Sequence, residues 1–200
     1  MLSLKERIEL LENDLKQNPP GFIMSSDLPF AIFRYNPKLP DEGEWKMRRE
    51  IQNLGVRVEN DTGRHVHNLP MSTLFWQSID QSEGLETLVQ LEQESGFEAA
   101  QAQVSVYLSD PDWRPLPALL AETMAQLDPH RTFVFLTRCA VFAPAMYRVS
   151  SLLEQMMGKT KVPAVLFYPG SWRGSLNYMD LKSEEEPLGS YRVKIYGRES

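Results

Sequence analysis

The sequence predicts an α/β three-layer sandwich with a mostly parallel central sheet of about five strands and a helical insertion. Three observations lead there. Phe30 to Phe33, Thr132 to Thr137 and Val162 to Tyr168 are short, almost continuous apolar runs, as strands buried on both faces require. Amphipathic helical patterns separate these runs, and residues 132–168 read strand, helix, strand, a unit that almost always closes as a right-handed parallel crossover. With 42% hydrophobic and 24% charged residues over 200 positions, the chain can bury a core without staples, so wholesale disorder is excluded. Residues 1–200 are expected to form a single α/β domain with residues 72–128 as a helical insertion within it.

The first helix starts at a capping box. Ser3 and Glu6 have the required spacing, and Leu4, Ile8, Leu11 and Leu15 follow on one stripe. Asn18-Pro19-Pro20-Gly21 stops it, because proline lacks the amide donor and clashes with the preceding turn. Within Leu28–Tyr35, Phe30 to Phe33 is the continuously apolar heart of the first strand, which Asn36-Pro37 ends. Pro40-Asp41-Glu42-Gly43 then opens a helix holding Trp45, Met47, Ile51 and Leu54, which ends at Gly55 or runs on toward Asn60. Asp61-Thr62-Gly63 is a turn and His65–Leu69 a short second strand, so this stretch forms one βαβ unit.

From Ser72 to Leu127 every signal is helical. Ser72 is placed to cap a segment containing Leu74, Phe75 and Ile79, and Gly84, Gly96 and Asp110-Pro111 divide the rest into about four short helices. The last carries Leu119, Leu120, Met124 and Leu127 on one side, with Pro117 in its first turn, where a missing amide costs nothing. After the strand Thr132–Thr137, a helix is expected from Pro144, with Gly158 at its C-terminal cap. Val162–Tyr168 follows as a buried strand with Pro163 at its mouth. Tyr191–Tyr196 alternates polar and apolar, which predicts a strand at the sheet edge with one wet face.

Charge is segregated along the chain. The net value is −6, but residues 80–130 hold ten acidic side chains against Arg114 alone, while residues 131–200 hold ten basic and six acidic ones. An acidic middle third repels phosphate backbones and suits either a solvated helical face or a basic protein surface. No run approaches the roughly 20 apolar residues that a membrane span needs, and the charged N-terminus lacks the apolar block of a secretory signal. The single cysteine, Cys139, rules out an internal disulfide and a Cys-rich zinc site. A cytoplasmic location is therefore expected.

Motifs for chemistry are sparse. Gly158-Lys159-Thr160 ends a helix and leads into a strand, the opposite polarity to a phosphate-binding loop, and Leu153 stands where that loop needs its first glycine. His65 and His67 leave the same strand face but have no third ligand at short spacing. Cys139 lacks a histidine on its own side of the strand. In Gly170-Ser171-Trp172-Arg173-Gly174 the serine is not central, as a nucleophile elbow demands. No catalytic residue, cofactor site or metal site is expected. One feature remains: a parallel sheet collects its strand carboxyl ends on one edge, where α/β proteins usually bind ligands. That edge gathers Arg34, Tyr35, Asn68, Arg138, Tyr168, Ser171, Trp172 and Arg173. Of these, Arg34, Tyr35, Arg138, Tyr168, Trp172 and Arg173 are residue types that anchor interfaces or clamp anions, and they are the candidate partner- or ligand-binding set.

At these residues the chain resembles the BrxB family of bacterial BREX phage-defence systems. The stretches that carry the likeness are Leu28–Tyr35, Gly96-Phe97-Glu98-Ala99-Ala100, Ala143–Ser150, Val165–Gly170 and Tyr191–Gly197, in the family's order. The resemblance implies a cytoplasmic member of a multi-protein system that methylates host DNA at adenine and blocks replication of unmodified phage. It implies companions that include the alkaline-phosphatase-like protein PglZ, the ATPase BrxC and the methyltransferase PglX, with PglZ first among them. Related proteins lack an established catalytic activity, so no catalytic residue is carried over. The expectation is a non-catalytic assembly or adaptor component that binds partner proteins, with no membrane contact and no direct nucleic-acid binding. The alternative is a degenerate nucleotide- or nucleic-acid-binding module of the same system.

Overall fold

The buried apolar runs become the interior of one six-stranded sheet. The computed structural model describes residues 2–25, 28–143, 146–181 and 192–198. Strands β1 (Phe30–Tyr35), β2 (His65–Pro70), β3 (Thr132–Thr137), β4 (Ala164–Trp172) and β6 (Lys194–Tyr196) run parallel in the order β2-β3-β4-β1-β6, and β5 (Leu176–Tyr178) pairs antiparallel with the far end of β4. β1 and β3 have every residue buried, which places them inside the sheet, whereas β2 and β6 are partly exposed and close its two ends.

Two apolar cores flank the sheet and make three layers. On one face, α1 (Leu4–Leu15) and α2 (Glu44–Thr62) pack Leu11, Leu15, Met47 and Leu54 against Phe33, Phe135 and Phe167. On the other, α3 (Met71–Gln81), α4 (Gly84–Ser95), α5 (Phe97–Ser109), α6 (Leu116–Ala125) and α7 (Val149–Gln155) share one core with Ile32, Val134 and Leu166. Alternate residues of each strand thus feed opposite layers, the period-two rule of a pleated sheet. The insertion, α3 to α6, contributes Leu88, Val104, Tyr107 and Leu108 to that second core. It is built into the layer through the same buried residues that cover the sheet.

The capping box at Ser3 and Glu6 forms as the spacing predicts. α2 runs past Gly55 and Asn60 to Thr62, because Gly63 adopts the left-handed conformation (φ 67°) that closes a helix without a Cβ penalty. Other expectations need correction. The βαβ unit of residues 30–69 exists, but β3 and β4 lie between its strands; β2, the more exposed strand, takes the sheet end. α3 begins directly at Met71 behind Pro70, so Ser72 sits in its first turn instead of capping it. α7 starts at Val149. Cys139–Phe142 forms a 3₁₀ turn and Met146 bonds back to the Phe142 carbonyl at 3.0 Å, so the connection is used up before a helix can begin. Pro144 itself lies outside the described residues. β4 continues four residues past Tyr168 into a hairpin with β5 that no periodicity announces. β6 is shorter than expected, three residues from Lys194, and Tyr191 lies outside the described residues. No helix among the described residues is long and apolar enough to cross a membrane.

Candidate functional site

The carboxyl ends of β2, β3, β4, β1 and β6 share one edge, and the structure divides the six candidate residues there among three settings. Arg34 is in the first. It is 2% exposed and donates from Nε to the Gly197 carbonyl at 2.8 Å, tying β1 to the end of β6. Its own carbonyl accepts from Arg7 at 2.6 Å. The other arm of Arg7 forms an ion pair with Glu42, whose second oxygen accepts the Asn36 amide at 2.8 Å. Arg7 and Glu42 are both buried, so this is an internal clamp below the strand ends. Sequence reasoning missed Arg7, although an arginine three residues from Leu4 and four from Leu11 lies on the apolar stripe of α1.

The second setting is a cleft of about 480 Å³ between the start of α2 and the strand ends. Tyr35, Glu44, Arg48, Gln52, Asn68 and Arg138 line it. The Tyr35 hydroxyl donates to Glu44, and Arg48 Nε donates to the other oxygen of Glu44 at 3.2 Å. Burial pushes the Tyr35 phenol well above its ordinary value, and the Glu44 charge adds to the shift, so it stays protonated at any physiological pH. Thr137 donates to the side-chain oxygen of Asn68 at 2.8 Å. Arg138 differs from these. It is exposed, its backbone is left-handed (φ 55°), and its guanidinium has no hydrogen bond or ion pair among the described residues. A left-handed non-glycine residue costs about 1–2 kcal/mol, which the turn into Cys139 imposes. Cys139 is fully buried and burial raises its thiol far above the usual range, so it carries no thiolate.

The third setting is the β4–β5 hairpin, which holds Tyr168, Trp172 and Arg173. Tyr168 is buried edge-on to Tyr178, with ring centres 5.9 Å apart. Trp172 is half-buried, with Arg198 over its ring at 5.4 Å. Arg173 is exposed at the hairpin turn. Ser171 and Lys38 both bond Asp180, the latter at 3.2 Å. Burial alone raises the Asp180 carboxyl, but these two bonds and the Lys38 and Arg173 charges outweigh it and hold it below the ordinary carboxylate range. Gly170 is required: a Cβ there lies 2.2 Å from the Asn177 carbonyl oxygen across the hairpin. The structure thus brings Tyr35 and Arg138 together, gathers Tyr168, Trp172 and Arg173 elsewhere, and puts Arg34 beneath both.

The remaining motifs fall into structural roles. Gly158 to Thr160 follow α7 and lead to β4, where the Thr160 hydroxyl accepts the Val162 amide at 3.1 Å. His65 pairs with Glu59 at 2.7 Å, and burial followed by the neighbouring His65 lowers His67 below its usual value. Among the described residues, no group of three or more His, Cys, Asp or Glu side chains is placed to hold a metal ion. A larger depression, about 870 Å³, lies between α1 and α2. Most of its charged lining is paired, Lys5 with Glu9, Lys46 with Asp41 and Arg57 with Glu12.

Fold and edge together define a class: an α/β three-layer sandwich with an elaborated helical crossover and a strand-end cleft. The family model described as BREX protein BrxB matches residues 67–194, from β2 to β6. The chain belongs to the BrxB family, and that membership makes it a component of a BREX phage-defence system whose other proteins are its partners. The Leu28–Tyr35 stretch lies before the matched range. No curated protein and no solved structure matches the chain.

Proposed function

We propose that this chain serves its BREX system as a non-catalytic assembly component, an adaptor that binds other proteins of the system. The observation that carries the reading is the exposure of large aromatic side chains. Trp45 is 75% exposed, Phe97 60% and Trp76 47%, in a protein whose interior takes up the other phenylalanines and the tyrosines among the described residues. Aromatic side chains left at the surface are the residues that interfaces bury. The groups nearest the strand ends that chemistry could use are engaged internally, Tyr35 with Glu44 and Cys139 in the core. The acidic helical crossover and the edge bearing Arg138 supply two separate docking faces. PglZ is the first partner to test, then BrxC and PglX. Affinity capture of the tagged chain from a host carrying the whole system recovers one of them under this reading. Recovery of none, at low and at moderate salt, removes it.

A second reading has one observation in its favour. Arg138, with no partner among the described residues and with Asn68 and Thr137 beside it in the cleft, is placed to meet a small anionic ligand such as a nucleotide. Glu44 in the same cleft and the net charge of −6 oppose it. Calorimetric titration with ATP, GTP and duplex DNA decides: binding tighter than about 1 mM supports this reading and anything weaker removes it.

A further inference from the structure

We infer that the helical crossover carries a docking groove for the apolar face of an amphipathic helix from a partner protein, flanked in that partner by Lys or Arg. The inference rests on the adaptor reading and names the chemistry of one of its docking faces. α4 is the element that points to it. Its only buried residue is Leu88, while Leu85 and Val89, on the same helical face, are 52% and 44% exposed. Trp76 of α3 and Phe97 of α5 stand exposed along the same depression, which measures about 290 Å³ and has Ile79 in its floor. Three helices therefore present an unpartnered apolar groove, the kind of surface that receives the apolar face of an amphipathic helix.

Charge selects the occupant. Residues 71–109 contain six acidic side chains and no Lys, Arg or His. Glu86, Glu92, Glu94 and Glu98 are exposed, and none is paired with a cation among the described residues. Nucleic acid is repelled from such a surface. A second copy docking groove to groove is repelled too, because a two-fold contact sets the same charges against each other. A cationic flank is attracted and steered in. Helices α3 to α5 form the groove's walls, with Ala143 and Met146 beside them, and among the described residues no strand edge lines it to pair an extended peptide, so an occupant that satisfies its own backbone bonds, a helix, fits best.

The test uses overlapping synthetic peptides that cover the other proteins encoded in the same BREX system, titrated against the full chain. The bound segments are expected to carry apolar residues at helical spacing with Lys or Arg beside them. Binding should weaken by about tenfold or more in the doubly substituted chain Leu85→Glu with Val89→Glu. It should also weaken as ionic strength rises from about 0.1 M to about 1 M, where the Debye length shrinks from ~10 Å to ~3 Å. Glu86→Lys with Glu92→Lys keeps the apolar surface and should weaken the same segments, which guards against a folding defect in the first variant. The inference is overturned if no segment binds, if bound segments are acidic or lack the apolar stripe, or if both variants bind as the wild type does. It is also overturned if sedimentation shows a wild-type dimer that Leu85→Glu with Val89→Glu dissolves. If the groove variants still capture BREX proteins as the wild type does, the groove is wrong and the adaptor reading stands; capture of none by the wild type removes the adaptor reading itself.

Discussion

The strand-end edge and the helical crossover spend their side chains in opposite ways. At the edge, Arg138 apart, the groups that look functional are turned on one another: Arg7 on Glu42 and the Arg34 carbonyl, Arg34 on Gly197, Tyr35 on Glu44, Ser171 and Lys38 on Asp180. On the crossover, unremarkable leucines, valines and glutamates are left without partners, Leu85 and Val89 half in the open with Glu92 beside them, and Glu86, Glu94 and Glu98 exposed on the same helices. Residue type is thus a poor guide to availability in this molecule. The polar edge ties elements of the fold together, and the crossover leaves apolar side chains half exposed.

That contrast can be broken most severely at Arg7. Replacing Arg7 by leucine strands Glu42 as a buried carboxylate without its cation, and the loss in urea-unfolding free energy should reach about 3–5 kcal/mol. Removing both partners with Arg7→Leu and Glu42→Leu should cost clearly less than the single change. A small effect from Arg7→Leu alone means that the edge is not a structural clamp. Next is Gly170→Ala, which drives a methyl group into the Asn177 carbonyl and should cost about 1–3 kcal/mol as the hairpin shifts.

A smaller effect belongs to Asp180. Its folded carboxyl lies below the ordinary value of 3.8, so the stabilisation is complete above that pH and is lost as pH falls through the lower folded value. Lys38 is well exposed, so screening keeps the contribution below about 1 kcal/mol. Asp180→Asn should flatten this acid limb in melts recorded from neutral pH downward. Comparable in size is the crossover: Leu85→Glu with Val89→Glu should move folding stability by no more than about 1 kcal/mol, about 0.5 for each change, because both side chains are already about half in water. A large loss there makes the groove a structural element and collapses the comparison.

Much of the fold was legible in the sequence because burial on both faces leaves a composition signal. Thr132–Thr137 is a strand to the residue, the strand read within Leu28–Tyr35 runs from Phe30 to Tyr35, and the capping box sets the start of α1. β5 escaped because Leu176–Tyr178 is three residues long and its pairing is dictated by a hairpin, not by any period. The true start of α7 escaped because the 3₁₀ turn at Cys139–Phe142 forms through local bonds that apolar spacing does not encode. At the site, topology placed the candidate residues on one edge correctly, yet whether each side chain faces outward or inward depends on pairs such as Arg7 with Glu42, 35 positions apart. The groove of α3 to α5 was invisible for a related reason: a leucine at helical spacing reads as core until the neighbouring helix that fails to cover it is known.

The most direct measurement is co-purification of the tagged full chain, as wild type and as Leu85→Glu with Val89→Glu, from cells carrying the whole BREX system. The account predicts that the wild type brings down at least one other BREX protein and that the variant, folded and equally abundant, loses it. A wild-type chain that brings down no BREX protein, or a variant that retains every one, contradicts it.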